Sequence, residues 1–90
     1  MAGKISKKRV TLQFHAPDAE EIYLAGSFNG WNPSERPLKR HRDGNWKTTL
    51  TLEPGTYEYL FVVDGSWVSD PQCVNRIQNN LGSHNCLLHV

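Results

Sequence analysis

The sequence predicts an all-β fold, an antiparallel sandwich or barrel, from three observations. Short runs alternate apolar and polar residues with a period of two, and turn dipeptides recur between them. No stretch carries the i, i+3, i+4, i+7 spacing of an amphipathic helix over three turns.

Val10, Leu12 and Phe14 alternate with Arg9, Thr11 and Gln13, the pattern of a half-buried strand. Ala16-Pro17-Asp18-Ala19 breaks it, and Ile22 and Leu24 place a second strand between Glu21 and Ser27. A loop rich in Gly, Asn and Pro follows, from Phe28 to about Arg36. Asp43-Gly44 is a turn signal, after which Trp46, Thr48, Leu50 and Leu52 alternate, with Trp46 expected in the core. Pro54-Gly55 makes the next turn. Tyr57, Tyr59, Phe61 and Val63 give the clearest strand, closed by Asp64-Gly65, and Trp67 and Val68 form a short strand before Asp70-Pro71. The stretch from Gln72 to His84 is polar and reads as irregular, and Cys86, Leu88 and Val90 alternate in a final strand. The turns are too short for crossover helices, so antiparallel pairing is expected.

Ninety residues are expected to form one domain over 1–90, with residues 1–8 as a flexible N-terminal segment. The chain is 38% hydrophobic, enough for one modest core, and its net charge is +1. That balance supplies no long-range field for nucleic acid, anionic membrane or an acidic substrate, and suits a neutral partner. The basic run Lys4, Lys7, Lys8, Arg9 precedes no apolar stretch of signal-peptide length, and no window approaches a membrane span, so a cytoplasmic address is expected. Cys73 and Cys86 are too few for a secreted disulfide framework and are expected to be reduced. Their spacing does not reveal whether their Cα atoms come within bridging range.

The sequence offers no catalytic constellation, no cofactor motif and no metal-ligand spacing: it lacks a nucleophile elbow, a phosphate-binding glycine loop and a Cys/His zinc pattern. Ser83 and His84 are adjacent, so in extended chain their side chains point to opposite faces. Asp64 and Asp70 stand in turn contexts that account for them without catalysis.

Aromatic residues in loops stand out instead. Trp31 lies in Ser27-Phe28-Asn29-Gly30-Trp31-Asn32-Pro33, and Trp67 follows the Asp64-Gly65 turn. An indole at a hairpin tip is exposed apolar surface that calls for a partner. A pyranose ring supplies one, because its faces carry C–H groups and its edge carries hydroxyls. The indole covers the face. Asn79, Asn80, Ser83 and Asn85 cluster before the last strand, and amides both donate and accept at a sugar edge. The plainer alternative is that the tryptophans are core and the polar loop merely solvated.

Ala25-Gly26-Ser27-Phe28-Asn29-Gly30-Trp31, Trp46 ahead of Leu50 and Leu52, Pro54-Gly55-Thr56-Tyr57-Glu58-Tyr59, Val63-Asp64-Gly65-Ser66-Trp67, Asp70-Pro71 and Leu81-Gly82-Ser83-His84-Asn85 follow one another in order. This set resembles the glycogen-binding carbohydrate-binding modules of the AMP-activated protein kinase beta subunit and of branching enzymes and isoamylases. The resemblance implies an immunoglobulin-like, early-set antiparallel β-sandwich and non-catalytic binding of α-1,4-linked glucan such as glycogen, starch or maltooligosaccharide. It implies a glucan-metabolising enzyme or kinase as protein partner, and no nucleic acid or membrane.

By position, the resemblance makes Trp31 and Trp67 the stacking pair and Leu81 a further ring contact, with Ser83 and Asn85 reading hydroxyls. Ser83 stands where a threonine is usual, and Leu60 stands where the family has a sugar-contacting lysine. The alternative it leaves open is a protein-interaction adaptor, or a structural N-terminal-type domain, with sugar binding vestigial. Exposure of both indoles on one surface separates the two.

Overall fold

The computed structural model describes residues 6–79 and 83–90. Among these described residues eight strands form in chain order: β1 (Lys8–His15), β2 (Ile22–Gly26), β3 (Lys39–Arg40), β4 (Asn45–Leu52), β5 (Thr56–Val63), β6 (Ser66–Val68), β7 (Arg76–Gln78) and β8 (His84–His89). A three-stranded sheet runs β1-β4-β3, and a five-stranded sheet runs β2-β5-β8-β7 with β6 also paired to β5. Every pairing is antiparallel. The fold is thus the all-β antiparallel sandwich expected of the alternating pattern. Lys8, placed by the sequence in the N-terminal segment, already pairs with Leu52.

The alternating apolar residues meet between the sheets. Leu12, Trp46 and Leu50 from the small sheet pack with Ile22, Leu24, Tyr59, Phe61 and Cys86 from the large one. Phe61, Ile22, Leu24 and Cys86 are fully buried, and Phe14 meets Phe61 edge to face at 5.1 Å. Trp46 lies in this core as expected, its indole N–H donating to the Ala16 carbonyl at 2.9 Å. A buried indole keeps its one donor satisfied in this way.

At Pro54-Gly55 the turn carries the chain across the sandwich, since β4 and β5 belong to different sheets. Two features depart from the pattern reading. β3 and β7 form in stretches without alternation, their residues all exposed. The cysteines, expected to be reduced, are bonded to each other with Cα atoms 6.0 Å apart. The unanticipated β7 explains this. Its pairing sets Arg76 opposite Cys86, and the turn in which the Cys73 N–H donates to the Asp70 carbonyl folds the preceding residues alongside.

Candidate functional site

The outer face of the large sheet is paved by residues that alternate with the core. On β5, Tyr59 and Phe61 point inward, leaving Glu58, Leu60 and Val62 on the other side. Ala25 lies opposite Leu60, and Trp67 lies opposite Val62. Ala25 and Val62 are buried without belonging to the core between the sheets, so the outer face itself is covered.

One cover is the loop after β2. Residues Ser27–Asn29 make a single 3₁₀ turn, and Gly30 (φ 65°) and Trp31 (φ 61°) follow in the left-handed region. Asn29 holds the loop: its Oδ1 accepts the Gly26 N–H at 3.1 Å and its Nδ2 donates to the Leu24 carbonyl at 3.4 Å. The Trp31 N–H then donates back to the Gly26 carbonyl at 2.9 Å. Asparagine favours such local bonds and glycine supplies the left-handed step, so Ser-Phe-Asn-Gly delivers the tryptophan to one place. Left-handed backbone at a tryptophan is strained, and such strain gathers where a side chain has work at a surface.

The second cover is the hairpin of β5 and β6, which carries Trp67. The two indoles meet with centroids 6.4 Å apart and planes tilted by 52°, Trp67 remaining 49% exposed and Trp31 half-buried. Together with Leu60, Ser69, Asn79, Ser83 and Asn85 they line a groove of about 310 Å³. That volume is at the lower end of ligand clefts. Among the described residues no charged side chain lines it.

The groove therefore gathers four of the five expected site residues, Trp31, Trp67, Ser83 and Asn85; Leu81 lies outside the described residues. Leu60, marked by the sequence as the departure from the family lysine, lies in the lining. Ser69 was missed by sequence reasoning, although it stands two residues after Trp67 and so shares its face. Asn79 was read only as one of a polar cluster; β7 is what brings it to the wall.

Among the polar lining residues Asn85 alone is buried, at 7% exposure. Its Nδ2 donates to Glu58 Oε1 and its Oδ1 accepts from Asn79 Nδ2, both at 3.0 Å. Asn79 Oδ1 accepts the Ser83 N–H at 3.1 Å, and the Asn79 N–H donates to the Ser83 carbonyl at 2.9 Å. An apolar floor with two tilted aromatic walls and a hydrogen-bonded amide rim suits a neutral ligand with apolar faces and polar edges. Among the described residues no group of three or more His, Cys, Asp or Glu is placed to hold a metal ion.

Residues 8–90 match the model of the family described as the glycogen recognition site of AMP-activated protein kinase. The chain belongs to that glycogen-recognition family. It is 38% identical over 86 residues to Protein FLOURY ENDOSPERM 6, chloroplastic, of Oryza sativa subsp. japonica, covering 96% of this chain and 16% of that protein. It is 45% identical over 72 residues to Protein PTST homolog 2, chloroplastic, of Arabidopsis thaliana, covering 80% of this chain and 13% of that one. With the human 5'-AMP-activated protein kinase subunit beta-2 it shares 38% identity over 71 residues, 79% of this chain and 25% of the subunit. The chain thus spans a quarter or less of the length of these relatives.

A maltogenic amylase from S. marinus has the same fold over 94% of this chain and 14% of its own, with a TM-score of 0.76 at 24% identity. The family is a carbohydrate-binding module, a non-catalytic domain. Among the described residues no helix is long and apolar enough to cross a membrane.

Proposed function

We propose that this chain binds α-1,4-linked glucan in the groove between Trp31 and Trp67 and performs no chemistry on it. The observation that carries the reading is the meeting of two indoles from separate loops over one uncharged groove. The rings cover sugar faces, Leu60 fills the floor between them, and Ser83 with the free valences of Asn85 reads hydroxyls. The family resemblance assigns a further ring contact to Leu81, which lies outside the described residues. The exposure of Trp67 supports this reading over an adaptor whose sugar site is vestigial, for which both indoles would be covered. A kinase or glucan-metabolising enzyme as protein partner, and a cytoplasmic address, are parts of the same proposal. The plant relatives carry the word chloroplastic in their names.

Two stacked rings and a few hydrogen bonds give an expected Kd between micromolar and millimolar, about 4–8 kcal/mol. With no charged residue among the described ones that line the groove, binding should be insensitive to salt. Titration calorimetry with maltoheptaose and β-cyclodextrin tests this, with Trp31→Ala and Trp67→Ala as controls. Saturable heat abolished by both substitutions supports the assignment. A folded protein giving no heat with either sugar overturns it in favour of the adaptor.

A further inference from the structure

Glu58 does not line the groove, yet its carboxylate touches the one buried polar residue that does. A side-chain amide has an oxygen end and a nitrogen end of nearly equal shape, and it turns over at little cost unless its partners tell the ends apart. A carboxylate tells them apart, because it only accepts.

The hydrogen bonds of the groove wall run in one direction from that carboxylate. Glu58 Oε1 accepts, so Asn85 must present Nδ2 to it and Oδ1 away from it. Asn85 Oδ1 then requires a donor, which fixes the Nδ2 of Asn79 toward it. The Oδ1 of Asn79 is left facing Ser83, where it accepts the backbone N–H. The order of donors and acceptors along Glu58, Asn85, Asn79 and Ser83 is therefore set from both ends, by a carboxylate that only accepts and a backbone N–H that only donates.

Glu58 is itself rigidly placed. It sits within β5 opposite Leu87, and its N–H donates to Ser27 Oγ at 3.1 Å, on the loop that carries Trp31. We infer that Glu58 is a positioning residue of the groove: it holds the Nδ2 end of Asn85 and so fixes which end of that amide faces a bound ligand. The inference rests on the glucan-binding reading, and deepens it by naming what orients the hydroxyl-reading wall. It also accounts for a carboxylate held beside a groove whose described lining residues are uncharged.

The test uses Glu58→Met, which keeps the length of the side chain but removes the acceptor, and Glu58→Gln, whose Oε1 can take the same bond. Glu58→Met should weaken maltoheptaose binding about tenfold, as expected for a lost hydrogen bond to a charged group. Glu58→Gln should restore binding to within about threefold, since an amide oxygen accepts as well. In an Asn85→Ala background Glu58→Met should have no further effect, because the residue it acts through is gone. The side-chain NH₂ signals of Asn85 in NMR give a readout independent of sugar: displaced from free-amide positions and slow to exchange with solvent in the parent, and moved toward free-amide positions with faster exchange in Glu58→Met.

Parent-level binding in a folded Glu58→Met variant overturns the inference. So does an equal loss of affinity in the Asn85→Ala background, or amide signals untouched by the substitution. If the parent binds no sugar while those amide signals do respond, the glucan reading fails and the positioning role stands.

Discussion

The rings of Trp31 and Trp67 lie 6.4 Å apart between centroids with their planes tilted by 52°. Sugar rings resting on the two indoles, as proposed, would be inclined to one another in the same way. An α-1,4-linked glucan curves, so successive rings tilt, whereas a β-1,4-linked chain is an extended flat ribbon. Maltohexaose should therefore titrate the protein in calorimetry, and cellohexaose at the same concentration should give no heat. Equal affinity for the two would show that the tilt plays no part in selection.

Leu60 lies half-buried in the groove, where the family resemblance places a lysine. Leu60→Lys should raise affinity for maltoheptaose by roughly fivefold, the equivalent of one net hydrogen bond of about 1 kcal/mol. Weaker binding in that variant would mean that the leucine contributes more by contact than an ammonium gains by donation.

Tyr59 is buried, and its hydroxyl donates to Asp70 Oδ2 at 2.7 Å. Burial first, then the Asp70 carboxylate, hold the phenol well above the ordinary tyrosine range. The unfolded phenol loses its proton near pH 10, roughly, while the folded one keeps it. This contribution to stability is thus complete below pH ~10 and is lost as the pH rises beyond it. Tyr59→Phe should cost about 1–3 kcal/mol at neutral pH, because Asp70 loses its donor. The variant should also fall less steeply in urea midpoint between neutral and strongly alkaline pH. Parallel pH profiles for parent and variant would refute the linkage.

The bond between Cys73 and Cys86 closes a loop of sequence separation 13, which includes Asn79, Ser83 and Asn85. Opening a loop of that size costs about 3 kcal/mol in the chain-entropy account. Reduction, or Cys73→Ser with Cys86→Ala, should lower the denaturation midpoint and also weaken sugar binding, since three groove residues lie within the loop. A midpoint indifferent to dithiothreitol would show that the bond does not form in solution.

Gly26 is extended (φ −171°), so its conformation suits any residue, but its surroundings do not. A Cβ there would collide with the Glu58 carbonyl oxygen and the Phe28 ring. Gly26→Ala should destabilise by roughly 1–3 kcal/mol as β2 and β5 are forced apart. Thermal denaturation checks this, and an unchanged Tm would mean that the two strands yield without cost.

The strands that carry the core were legible because Leu12, Trp46 and Leu50 alternate with polar neighbours, and because Tyr57, Tyr59, Phe61 and Val63 recur at every second position. Burial on one face of a strand leaves that period in the sequence. β3 and β7 bury neither face, so Lys39–Arg40 and Arg76–Gln78 left no period to read. The disulfide was hidden for the same reason, since β7 is what sets the chain around Cys73 beside β8. In the groove, Trp31 and Trp67 stood out as costly apolar surface on turns. Ser69, Asn79 and Glu58 did not, because a polar residue in a polar stretch is ordinary until the sheet places it beside another. The crossing at Pro54-Gly55 was read as a turn, but a dipeptide does not say which sheet the next strand joins.

Gly30 and Trp31 are consecutive left-handed residues. Any side chain in that region carries a penalty of about 1–2 kcal/mol, and glycine alone escapes it. The amino acid that best fits the backbone of residue 31 is thus the one with no ring, and it lies a single base change from the tryptophan codon. The relaxed backbone would return part of what the lost indole contacts cost, so damage by this route would show far more in sugar binding than in the melting curve.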